Sequence, residues 1–109
     1  MPACSNNSSK NMQNLTARSG IGEELLRQIV DLLGKFGVER AVLFGSRARG
    51  DFRDTSDIDI AFWGEINEPE LWLAIESLPT IHKVDLVNFD TLTNDDFKQN
   101  ILRDAVEIV

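Results

Sequence analysis

Asp57 and Asp59 stand on either side of Ile58 inside an apolar run, "SDIDIAFW", and ten residues separate Asp57 from Gly45-Ser46, which directly follow the run "RAVLF". Strand side chains alternate, so Asp57 and Asp59 project to one side while Ile58, Ile60 and Phe62 project to the other. Two carboxylates held side by side raise each other's pKa and require a cation, a proton or solvent to relieve them. Hard oxygen ligands suit Mg2+, which takes one or two carboxylates and completes its octahedron with water and phosphate oxygens. Asp85, between Val84 and Leu86, is a third carboxylate in apolar company and closes a three-acid set able to hold two metal ions about 3.5–4 Å apart. The competing reading of these acids is a solvated strand edge.

The glycines supply the complementary half. Gly45 lets the backbone approach a ligand closely, and the turn it opens exposes N–H groups that can cradle phosphate, with the Ser46 hydroxyl as a further donor. Gly45 and Gly50 have the spacing that opens a P-loop, but Asp51 and Phe52 stand where Lys and Ser or Thr are required. An EF-hand fails as well, because Ala61 occupies the third ligand position. His82 is the only histidine and reads as a strand-surface residue, since a zinc site needs three or four ligands.

These groups need a scaffold, and 109 residues provide one domain that buries roughly 65% of its unfolded surface. The composition, 42% hydrophobic and 27% charged, is that of a soluble globular protein without a membrane span. A net charge of −7 repels polyanions and argues against general nucleic-acid binding. Cys4 stands alone, and "MPACSNNSSKNMQNLTARSG" has no secretion-signal apolar segment, so a cytoplasmic location is expected. Residues 1–18 read as a flexible tail and 19–109 as the domain, because the first segment has too few large apolar groups to offset the entropy of ordering.

Within 19–109 the periodicities alternate. Leu25, Leu26, Ile29, Val30, Leu33 and Phe36 recur at helical spacing, with Gly34 and Gly37 at the end. "RAVLF" is a short strand, "GSRARG" a turn or short helix, and "SDIDIAFW" a second strand. Asn67, Glu68, Pro69 and Glu70 resemble a capping box opening a helix with Leu71, Ile75 and Leu78 on one face. "IHKVDLVNF" is a third strand, and Phe97, Ile101, Leu102, Ala105 and Val106 predict a final helix. The expectation is an α/β (α+β) fold, a small mixed three-stranded sheet flanked by about four helices.

The residues "FGSRARGDFRDTSDIDI" with the later "VDLV" resemble the nucleotidyltransferase superfamily related to DNA polymerase β. They are most similar to the minimal nucleotidyltransferases, the MNT or MntA-type antitoxin partners of HEPN proteins. The resemblance covers about Ile21 to Val109. It implies that Gly45 and Ser46 hold a triphosphate, that Asp57 and Asp59 bind both of two Mg2+ ions, and that Asp85 binds the catalytic ion and helps activate the acceptor hydroxyl. Arg47 and Arg49 match common family positions and enter as nucleotide-binding candidates; solvent-facing charge or pairing with Asp51 and Asp54 is the alternative. The implied activity is transfer of AMP from ATP to a hydroxyl on a partner protein, a small all-helical HEPN-type protein, in a toxin–antitoxin pair. The alternatives are a nucleotide-binding protein that masks its partner without turnover and a transferase acting on a small molecule. Trp63 and Trp72 are candidate docking anchors; the alternative is that both are core residues.

Overall fold

The computed structural model describes residues 15–109. Its elements are α1 (Glu23–Lys35), β1 (Arg40–Phe44), the single turn α2 (Ser46–Arg49), β2 (Ile58–Trp63), α3 (Glu68–Glu76), β3 (Val84–Asn88), a 3-10 turn (Phe89–Thr91), α4 (Asp95–Asp104) and β4 (Val106–Glu107). The sheet order is β3-β2-β1-β4. β1 runs antiparallel to both β2 and β4, and β2 and β3 are parallel, joined through α3 as a parallel pair requires.

Each helix has a local reason to begin and end. Glu23 and Glu24 occupy the first turn of α1 and Lys35 its last, matching the helix dipole. Gly37, at φ 82°, closes α1 in a Schellman turn: Val38 N donates to the Leu33 carbonyl and Gly37 N to that of Gly34. The Asn67 side chain accepts from Glu70 N at the start of α3, and Asn94 does the same for Phe97 N at the start of α4.

The strands alternate as their sequences demand, and the two faces carry separate cores. Ala41, Leu43, Ile58, Ile60 and Phe62 pack against Leu26, Ile29 and Leu33 of α1 and Leu71 and Ile75 of α3. Val42, Phe44 and Ala61 pack against Ile101 of α4. By alternation Asp59 falls on the α4 face, two residues before Ala61.

Two expectations change. The sheet has four strands, because the last helix stops at Asp104 and the chain turns extended at Ala105 (φ −56°, ψ 129°). The physical reason is the free edge of β1: Ala41 N donates to Val109 O, and Ala41 O accepts from Ile108 N and Val109 N, so the tail satisfies backbone groups that an extended helix would leave unpaired. Of the expected tail, residues 1–14 lie outside the described residues, but residues 15–19 are helical and Leu15 is buried in the α1/α3 core. The packed unit therefore begins before residue 19, because one apolar side chain docks. Both tryptophans are partly buried against the core clusters; Trp63 lies 4.6 Å from Phe89, ring to ring, with the Arg40 guanidinium over it. Among the described residues no helix is long and apolar enough to cross a membrane.

Candidate active site

The sheet brings the acids to one end. Phe44 pairs with Asp59 across β1–β2, and Asp59 pairs with Asp85 across β2–β3. Asp57 immediately precedes β2 and is exposed; Asp59 and Asp85 are half-buried. A hydrogen bond from Ile58 N to Lys83 O, 2.8 Å, ties together the starts of the two acid-bearing strands.

Gly45 leaves β1 at φ 79°, ψ −157°, a region essentially restricted to glycine. A Cβ built there would lie 2.6 Å from Asp59 Oδ2. The glycine is thus required twice, by its own backbone and by the carboxylate beside it. Ser46 then opens α2, half-buried, and its carbonyl accepts from Gly50 N and Asp51 N, which closes the turn compactly.

The carboxyl of Asp59 is pushed up to about 6, first by burial, then by the charges of Asp85 and Asp57; Arg49 and Lys83 oppose the rise. This is the electrostatic condition of a site that attracts cations. Lys83 Nζ stands 3.5 Å from Asp85 Oδ1, an open ion pair that offsets only part of the negative charge. Among the described residues no three His, Cys, Asp or Glu side chains are arranged to hold a metal ion as they stand. The donor set nevertheless suits a hard cation: all three groups are carboxylates, two face each other in register, and the outer ones have solvent into which to rotate.

The two arginines of the turn part company. Arg49 Nη1 donates to Asp104 Oδ2 at 2.7 Å and its Nε to Asp51 Oδ2 at 3.2 Å, and those hydrogen bonds raise its pKa. Its charge also acts on Asp59, so it sits at the margin of the acidic site. Burial works against ionisation of Asp104, but hydrogen bonds from Arg103 and Arg49 outweigh it and keep the carboxyl below the usual range. Arg47 is different. It is fully buried, with its guanidinium bonded to the backbone carbonyls of Ser19 and Ser56. The expectation that Arg47 contacts nucleotide is therefore corrected: its donors are engaged inside the protein. Nothing in a turn rich in arginine distinguishes the buried one; Lys83, two residues before Asp85, went unremarked in the sequence although alternation places it on the same side.

A glycine-serine turn laid against a carboxylate, with a second carboxylate opposite on a small mixed sheet, is the architecture of a nucleotidyltransferase. Residues 27–109 match the family model described as "Polymerase beta, Nucleotidyltransferase", and the chain belongs to that family, an enzyme of the nucleotidyltransferase type. It is 36% identical over 91 residues to the Methanocaldococcus jannaschii protein named "Putative protein adenylyltransferase MJ0435", covering 79% of this chain and 96% of that one. A solved structure described as a "putative minimal nucleotidyltransferase" superposes with a TM-score of 0.61 at 29% identity, over 87% of this chain and 93% of the other.

Proposed function

We propose that this protein transfers AMP from ATP, with Mg2+, to a hydroxyl on a partner protein in the cytoplasm. The partner in this reading is a small all-helical HEPN-type protein, and the chain serves as the antitoxin of the pair. The observation that carries the reading is the register of Asp59 opposite Asp85 with the Gly45 backbone against Asp59, which puts the acids beside a turn able to receive phosphate. The name of the archaeal relative supports a protein as acceptor.

In this reading the acceptor oxygen attacks the α-phosphorus in line. The new O–P bond forms as the bond from the α-phosphorus to the bridging oxygen breaks; pyrophosphate leaves with that electron pair, and the hydroxyl proton passes to the Asp85 carboxylate. Asp57, Asp59 and Asp85 are the residues that would hold Mg2+, which when bound supplies charge neutralisation for the phosphates. Gly45 and Ser46 orient the triphosphate through backbone N–H groups and the Ser46 hydroxyl. Arg49 exchanges its exposed pairing with Asp51 for a phosphate oxygen, a change that costs little because surface ion pairs contribute little.

The test is co-expression with the neighbouring reading frame, followed by mass measurement of that product. Addition of AMP units that disappears with Asp57→Asn is the expected result. A stable complex without added mass points instead to masking, and the absence of both refutes the partner.

A further inference from the structure

The geometry points to Arg47 as a positioning residue, one buried guanidinium that fixes the phosphate-side turn and the start of the acid-bearing strand relative to each other. Arg47 is only 1% exposed, and among the described residues no carboxylate is bonded to it. Burying a cation in that way is unfavourable unless its donors are satisfied. They are met by backbone: Nε and Nη2 both donate to Ser56 O, at 3.1 and 3.0 Å, and Nη1 donates to Ser19 O at 2.9 Å. The Phe52 ring lies beneath the guanidinium, 4.9 Å away, adding a cation–π contact.

The bonded carbonyls sit at informative places. Ser56 O belongs to the planar peptide that leads into Asp57, so fixing that oxygen fixes the plane from which the Asp57 backbone departs. Arg47 itself follows Ser46 directly in α2. Its Nη2 also lies 3.4 Å from His82 Nδ1, and His82 begins the approach to the strand carrying Asp85. A forked guanidinium can hold several acceptors in one rigid geometry, which an ammonium cannot. The segment it pins is otherwise held locally, by Ser56 N to Arg53 O and Arg53 N to Ser56 Oγ.

The inference rests on the role proposed for Asp57, and the experiment separates the two failures. Full-length wild type, Arg47→Met, Arg47→Lys and Leu33→Ala are compared, each at the same margin below its own melting midpoint. One readout is hydrogen exchange at the Arg53 and Ser56 amides; the other is transfer of labelled AMP from Mg2+ and ATP to the co-purified partner. Arg47→Met is expected to speed exchange at both amides by about tenfold or more, because the local bonds lose their anchor. Its kcat should fall by about 10²-fold, the loss a misplacement of about 1 Å produces, with KM for ATP within about threefold of wild type. Arg47→Lys should fall between, and Leu33→Ala, which weakens the core away from the site, should match wild type in both readouts. Unchanged exchange in Arg47→Met, or faster exchange with wild-type kcat, overturns the assignment. A wild type that transfers nothing refutes the proposed function instead, and the exchange data alone then decide whether Arg47 holds the Asp57 segment.

Discussion

Asp59 and Asp85 face each other in register across the parallel β2–β3 pair, so that the charge of Asp85, second only to burial, helps push the Asp59 carboxyl up to about 6. Its folded value lies above the ordinary carboxylate value of 3.8. The stability that goes with protonating it is therefore fully present below about pH 4 and is lost as pH rises through about 6.

Asp59→Asn removes that dependence. A rise of this size corresponds to about 3 kcal/mol, which solvent screening at a half-exposed group reduces to roughly 1–2 kcal/mol. In urea melts without metal, the variant should exceed wild type by that margin at pH 7.5 and match it near pH 4. Transfer should fall by about 10²–10³-fold or more, since a preorganised charge contact is lost. A variant no more stable at pH 7.5 than at pH 4, relative to wild type, would show that the acids are not mutually strained.

Gly45→Ala should damage both fold and activity. The added Cβ meets Asp59 Oδ2 at 2.6 Å, and the backbone stays at φ 79°, a conformation that costs a non-glycine residue roughly 1–3 kcal/mol. Denaturant melts should show a loss of that order. Because the carboxylate must shift to accommodate the methyl group, residual activity should stay low even at temperatures where the variant is fully folded.

Leu15 is buried in the α1/α3 core, so Leu15→Ala should destabilise by about 2–3 kcal/mol, the lower part of the range for leucine truncation in a core. Deleting residues 1–18 should cost at least as much, with the Arg47 anchor Ser19 left at a chain end. Equal melting midpoints for wild type and Leu15→Ala would rule out this docking.

The fourth strand makes its own prediction. Ile108 N donates to Ala41 O at 3.0 Å, so Ile108→Pro should lose about 1 kcal/mol more than Ile108→Ala by removing that donor and leaving Ala41 O only the longer bond from Val109 N, 3.2 Å. Equal melting of the two variants would place the cost in the side chain alone.

What the chain disclosed by itself was local. The period-2 pattern around Asp57 and Asp59, the apolar company of Asp85, the glycine-serine turn and the caps at Gly37 and Asn67 each involve residues a few positions apart, where backbone geometry translates spacing directly into direction. The acids of the candidate site and the helices that support them were legible for that reason. Tertiary structure decided whatever depends on residues far apart in the chain. Arg47 reaches Ser19, 28 positions away, and is buried; Arg49 reaches Asp104, 55 positions away, and stays at the surface. Two arginines two residues apart in one turn thus acquire opposite environments, because only the folded packing determines which side of the turn faces the interior. The end of α4 was decided the same way: the spacing of Ala105 and Val106 continues a helix, but the open edge of β1 at Ala41 offers backbone partners, and pairing those groups takes precedence over one further helical turn.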